Sequence, residues 1–227
     1  MMKSIGLIVA MDKELELFKN KFSLVHENKG LFDFYIGSVD DEHIIIVSKS
    51  GIGKVNSALC TMKMIETFNV DFVISSGVCG TLKPNGIIPG DFIIAQEVGY
   101  HDIWCGVPND LGQVQDFPAK FKCIDIDTDR LDKKFNIHKG YVVSGDWFVD
   151  TKYKAIAIYD NFMNSIGIDM ESASIAQTCY RYSKPFVSVR IVSDAVLNDT
   201  AATYEEFWTK APEQLNELVT QIIMTNL

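Results

Sequence analysis

The sequence predicts an α/β fold in a single domain, and three observations lead there. Short apolar runs of strand length alternate with stretches of helical periodicity along almost the whole chain. With 227 residues, 47% of them hydrophobic, the chain can bury one sizeable core but is short for two. No repeat, low-complexity tract or linker interrupts it, so one unit covering residues 1–227 is expected.

The elements follow in order. Ser4 to Ala10 is an apolar run of strand length, and Met11 to Phe18 continues with Leu15 and Phe18 at helical spacing. Leu31 to Gly37 and His43 to Ser48 read as antiparallel strands joined at the turn-prone pair Asp40-Asp41. A helix from Lys54 to Phe68 is predicted to pack Val55, Leu59, Met62 and Ile65 on one face. Asp71 to Ser75 is a buried strand, followed by a loop over Ser76 to Thr81 and a turn at Lys83-Pro84-Asn85-Gly86; Asp91 to Glu97 returns as a strand. From Gly99 to Phe121 periodicity dissolves, and Tyr100, Trp104 and Phe117 are scattered among Gly, Pro, Asn and Asp. A loop of that length in one domain is functional or held by a partner. Gly140 to Gly145 is a strand, Thr151 to Tyr159 a helix, and Pro185 to Ser193 a nearly continuous apolar strand. The last helix spans Tyr204 to about Met224, with Pro212 as a kink or break.

Composition narrows the function. A formal charge of −9 and a pI near 4.9 argue against nucleic acid or an anionic membrane as partner, because phosphates call for a basic face. A small-molecule ligand is expected instead. Nothing approaches the roughly 20 apolar residues that cross a bilayer, and the amino-terminal run, broken at Asp12, reads as a first strand, not a signal peptide. Cys60, Cys79, Cys105, Cys123 and Cys179 form no CxxC pair and read as free thiols in a reducing cytoplasm. The four histidines are far apart and match no metal-ligand spacing, so a metal site is not expected.

The chemistry concentrates in Ile166 to Ala176, IGIDMESASIA, where a short strand runs into Asp169 and Glu171 and then a helix from Ser172 to Tyr182. Period-two alternation puts both acids on one face and Met170 on the other. In open α/β sheets ligands gather at the carboxyl ends of strands, although a helix N-terminus favours an acid whatever its function. Glu14 follows the first strand, and Arg190-Ile191-Val192-Ser193-Asp194 ends a buried one. Glu14, Glu171 and Asp194 can therefore converge, as an acid/base enzyme needs. Gly51-Ile52-Gly53-Lys54 fails as a nucleotide loop: Asn56 takes the last glycine position of GxGxxG, and Val55 follows the lysine. It remains a turn of close backbone approach, suited to a sugar or an anion or merely structural. The pair His101-Asp102 reads more readily as an exposed loop pair than as a site.

In order and spacing, AMDKELELF, SGIGKVNSA, SGVCG, VSGDWF, IDMESASIA and VRIVSDAV resemble the purine nucleoside phosphorylase and nucleosidase superfamily, from about Ser4 to Phe207. Within it they are most similar to the bacterial 5′-methylthioadenosine/S-adenosylhomocysteine nucleosidases. The resemblance implies a three-layer α/β/α fold with a mixed central sheet, a homodimer, and no metal or organic cofactor. It makes Glu14 the base that activates water and Asp194 the acid toward purine N7. Glu171 would hold the ribose hydroxyls with Met170 beside the sugar, and Phe148 would stack on the base with the Val149 backbone at its edge. Val78, Cys79 and Gly80 would form the wall, Arg190 would support the water site, and Met11 and Ile52 would border the 5′ substituent; Ser193 belongs to the same pocket. Trp104, Val107 and Phe207 would close the 5′ end across a dimer interface. The sequence departs from the family pattern at Asp169, where glutamate is usual, at Cys79 and Thr81, where smaller residues stand, and at Trp147.

Cleaving an N-glycosidic bond builds positive charge on the sugar and negative charge on the purine. A neutral acid and an ionised base on opposite faces match that need, as in inverting glycosidases. A phosphorylase of this scaffold would hold phosphate largely with arginines, and Arg130, Arg181 and Arg190 are the only ones, none within the first two motifs. Water is thus the expected nucleophile; the alternatives are a purine nucleoside phosphorylase, an aminodeoxyfutalosine hydrolase and a non-catalytic nucleoside-binding protein.

Overall fold

A computed structural model describes residues 2–81, 86–195 and 211–227. Its first strand shows how the core is built. In β1 (Lys3–Val9) the side chains of Ile5, Leu7 and Val9 enter one apolar cluster and Ile8 enters another on the opposite face. This period-two partition means both faces of the sheet are covered, which is why the run is apolar throughout. The first cluster is capped by α1 (Asp12–Phe22) and α5 (Ala211–Asn226), the second by α2 (Lys54–Phe68) and α4 (Ser172–Arg181). A smaller cluster seats α3 (Lys152–Asn161) against Tyr141, Val143 and Ile168. The three layers and the mixed sheet agree with expectation.

The sheet is organised by β5 (Phe72–Thr81). Its first half pairs in parallel with β1, from Ile5↔Phe72 to Ile8↔Ser75, while along its other edge it pairs with β10 (Phe186–Ala195). At Gly80 the first edge takes a new, antiparallel partner, Ile168 of β9 (Ser165–Asp169). From β9 the sheet continues through β8 (Ile137–Ser144) and β6 (Phe92–Tyr100) back to β10, closing a five-strand loop. On the far side β1 leads to β4 (His43–Lys49), β3 (Asp33–Ser38) and β2 (Val25–Asn28); β7 (Phe121–Lys122) pairs β6. Between Ser75 and Gly80 the β5 edge lies between departing β1 and arriving β9, and a cavity opens there.

Several expectations are corrected. Ser76 to Thr81 is not a loop but the second half of β5, and β2 was not foreseen. The helix at Lys54–Phe68 is present as predicted, but its apolar row faces outward: Val55 is 68% exposed, Leu59 41% and Met62 37%. Its buried face carries Ser57, Cys60, Thr61, Met64 and Ile65. Small polar residues line that face because neighbours approach closely. The Ser57 and Ser174 hydroxyls meet at 2.6 Å, and a Cβ on Gly6 would stand 2.4 Å from Met64 Sδ. Pro212 is the second residue of the described part of α5, and the helix continues unbroken from it to Asn226. The predicted helix from Tyr204 to Lys210, the turn over Lys83 to Asn85 and Phe207 fall outside the described residues. Among the described residues no helix is long and apolar enough to cross a membrane, and the five cysteines form no disulfide.

Candidate active site

The cavity at the β5 partner switch gathers the ends of β1, β4, β5, β8, β9 and β10. Centres of water-sized spheres can occupy about 130 Å³ of it, against the roughly 10–15 Å³ one water needs. It has room for a ligand and a water together. Met11, Glu14, Ile52, Val78, Cys79, Gly80, Phe148, Val149, Met170, Glu171, Arg190 and Ser193, spread along the chain, all line it. Asp194 is placed by its backbone on β10 opposite Gly80, just past a register shift after Val192; its side chain lies outside the described residues.

Glu14 occupies the third position of α1, whose N-cap is Met11. Its Oε2 accepts the N–H groups of Ala10 and Met11, each at 2.9 Å, the return half of a capping box. The other oxygen, Oε1, is buried with no hydrogen-bond partner among the described residues. A buried carboxylate oxygen left open beside a cavity is placed to meet a ligand or water, with the Val78 N–H close enough to favour the charged form of the same carboxylate. Burial pushes the Glu14 carboxyl up from its ordinary value, against the Met11 N–H and the Arg190 charge, which pull it down. Gly77 makes this convergence feasible: a Cβ there would lie 3.0 Å from both Arg190 Nη1 and Glu14 Oε1.

Glu171 sits where β9 ends, as N-cap of α4 with φ −131° and ψ −33°. The strand alternation stops at Asp169, so Asp169, Met170 and Glu171 all line the cavity, and the expected separation of Met170 onto the opposite face is corrected. Glu171 Oε1 accepts the Gly53 N–H at 2.9 Å. The GIGK turn therefore spends this N–H on the protein's own carboxylate. Burial, and then the neighbouring Asp169, push the Glu171 carboxyl up to about 7, with Arg190 and the Gly53 N–H opposing.

The sequence did not foreshadow the network behind these acids. Arg190 donates through Nε to Asp169 Oδ2 at 2.8 Å and through Nη2 to Ser75 and Ser172 at 2.6 and 2.8 Å, and the ion pair is almost fully buried. Ser144 and Ser172 also donate to Asp169. The available signal was Ser188 and Arg190 two apart on an otherwise apolar strand. Ser75, Ser76 and Gly77 were likewise missed as cavity wall, because the alternation of a strand buried on both faces does not show where it loses a neighbour. His101 is also corrected: it is 8% exposed and packs edge-on against Trp147 at 6.2 Å. Among the described residues no group of three or more His, Cys, Asp or Glu could hold a metal.

The Glu171 shift has a measurable consequence. Raised from 4.5 to about 7, the carboxyl stabilises the fold fully only below its unfolded pKa, and that contribution is lost as pH rises through about 7. Glu171→Gln removes the loss. The variant is expected to gain on the order of 3 kcal/mol, several degrees in Tm, over the native protein at pH 8 and nothing near pH 4; equal melting curves at pH 8 would contradict the assignment.

The whole chain has relatives. Residues 4–224 match the family model described as the phosphorylase superfamily. The 5′-methylthioadenosine/S-adenosylhomocysteine nucleosidase of Staphylococcus saprophyticus is 35% identical, covering 97% of this chain and 99% of its own. That of Staphylococcus aureus is 32% identical, covering 96% and 98%. Among solved structures, the nucleosidase of that name from Neisseria meningitidis, in complex with methylthio-immucillin-A, superposes with a TM-score of 0.89 at 30% identity, covering 98% of this chain and 99% of that one. The Colwellia psychrerythraea nucleosidase, in complex with adenine, gives 0.90 at 28%, covering 99% and 96%.

Proposed function

Because the chain belongs to the phosphorylase superfamily, we propose that it hydrolyses the N-glycosidic bond of 5′-methylthioadenosine and S-adenosylhomocysteine, giving adenine and 5-methylthioribose or S-ribosylhomocysteine. The observation that carries hydrolysis over phosphorolysis is the charge of the cavity. Glu14, Asp169 and Glu171 line it against one guanidinium, Arg190, and that guanidinium is already paired with Asp169. Of the other arginines, Arg181 lies over the Phe117 ring and Arg130 reaches the Thr225 carbonyl. Above about pH 7, where Glu171 is ionised, a phosphate dianion would enter a field of its own sign, whereas the cation that develops on the ribose is favoured there.

In this reading the open Oε1 of Glu14 takes a proton from water, and Arg190 holds Glu14 by charge. Ionised Glu171 accepts the ribose hydroxyls with Met170 beside the sugar. Phe148 stacks on the base, the Val149 backbone meets its edge, and Asp194 passes a proton toward N7 as adenine leaves. Val78, Cys79, Gly80 and Ser193 form the wall, and Met11 and Ile52 flank the 5′ group. Since Glu171 must be ionised, kcat/KM rises with pH through about 7. The outward apolar row Val55, Leu59 and Met62 supports a homodimer, tested by a sedimentation mass twice the monomer's 25.5 kDa. This one-domain enzyme would need no metal or organic cofactor and no nucleic acid or membrane, and would work in the cytoplasm on nucleosides of methionine salvage.

Adenine release from 5′-methylthioadenosine, followed by chromatography in phosphate-free buffer, tests the proposal. Release at the same rate with and without phosphate is expected. Release only with phosphate would make the protein a phosphorylase.

A further inference from the structure

We propose that Lys54, Asp102 and Asp146 form a charged clasp that sets the width of the cavity, tying the wall that carries its aromatic residues to the turn that holds Glu171. The proposal deepens, and rests on, the nucleosidase reading. None of the three lines the cavity, so they are positioning residues.

The clasp joins three segments distant in sequence. Asp102 Oδ2 accepts Lys54 Nζ at 2.7 Å and the Asp146 N–H at 2.8 Å. Asp146 Oδ1 in turn accepts the Lys54 N–H at 2.8 Å, at the first turn of α2. Both cavity walls begin one residue away. Gly53, before Lys54, gives its N–H to Glu171; Trp147, after Asp146, starts the segment Trp147 to Val149 that lines the cavity. Moving the clasp therefore moves both walls.

Burial stiffens the Lys54–Asp102 pair, while Asp146, 46% exposed, joins it from the rim. The side chains of Lys54 and Asp102 are 22% and 11% exposed, so salt screens their attraction little. Asp102 Oδ1 is buried without a hydrogen-bond partner among the described residues, so both bonds that hold the charge run through Oδ2. Two glycines admit this closeness. A Cβ on Gly145 would lie 2.4 Å from His101 Nε2 and 2.8 Å from Asp102 Cγ, and one on Gly53 2.9 Å from Asp146 Oδ1. The GIGK turn and the His101-Asp102 pair, which no nucleotide-loop or loop-pair reading accounts for, both acquire a role here.

The test compares Asp102→Asn, Lys54→Met, their double variant and Lys54→Arg. Each of the first two is expected to raise KM for 5′-methylthioadenosine about tenfold while changing kcat less than about threefold, because substrate must then order walls that the clasp holds ready. The double variant should be no worse than the worse single, since both break one unit. Lys54→Arg keeps the cation and should stay within about threefold of the native KM, which keeps the test open if Asp102→Asn fails to fold. In a Trp104→Phe/Trp208→Phe background, acrylamide quenching of Trp147 without substrate should rise in both single variants. Additive effects, an unmoved KM or unchanged quenching would overturn the clasp. Absence of cleavage by the native protein would overturn the nucleosidase reading alone, because the quenching comparison needs no activity.

Discussion

Replacing Glu14 by glutamine is expected to lower kcat for 5′-methylthioadenosine by about 10³-fold while the protein stays folded. Glutamine can still accept the Ala10 and Met11 N–H groups that now bind Oε2, so the head of α1 is kept. What it cannot do is take a proton from water through the position of Oε1. Stability should move the other way. Burial raises the Glu14 carboxyl, so the fold loses stability as pH rises from the ordinary carboxylate range through that raised value. The neutral variant escapes the loss, and its Tm at pH 8 should equal or exceed that of the native protein. Loss of activity with Tm retained would identify a group kept for chemistry at a cost to the fold; more than about a tenth of native turnover would remove Glu14 from the role of base.

Asp194→Asn is expected to cost a similar factor, about 10³, but only with substrates whose leaving group must be protonated. Adenine departs as a poor anion unless N7 receives a proton, and asparagine has none of carboxylic acidity to give. A 4-nitrophenyl riboside instead releases 4-nitrophenolate, an anion stable without protonation. Its cleavage should fall less than about tenfold in Asp194→Asn and collapse in Glu14→Gln, because attack by water still needs the base. Equal losses on both substrates in Asp194→Asn would show the residue acting on the sugar or on the fold instead of on the leaving group. The backbone of Asp194 pairs with Gly80, and Gly80 lines the cavity beside Cys79, which supports its nomination.

By itself the sequence determined the order and type of most elements and the residues that crowd the cavity. Runs such as Ile5 to Val9 and Phe92 to Ala95 are apolar throughout because both sheet faces are covered, and that signature is local. The acids at Glu14 and Glu171 stood out because carboxylates at the ends of such runs have no reason to be there for packing. The scarcity of arginine, which supports water as nucleophile, is equally a property of the sequence.

Tertiary structure decided which neighbour each face meets. The helix Lys54–Phe68 has an apolar row and a row of small polar residues, and periodicity favoured the apolar one. Contact with Ser174 and Gly6 selected the other, since close approach rewards small side chains over large ones. Where β5 exchanges β1 for β9, its own residues look like any buried strand; only the partners' lengths open the cavity. Likewise Arg190 and Asp169, 21 residues apart in sequence, neutralise each other, and Asp102 reaches Lys54 across 48. Charge pairing depends on distance in space, and that distance exists only once the sheet has closed.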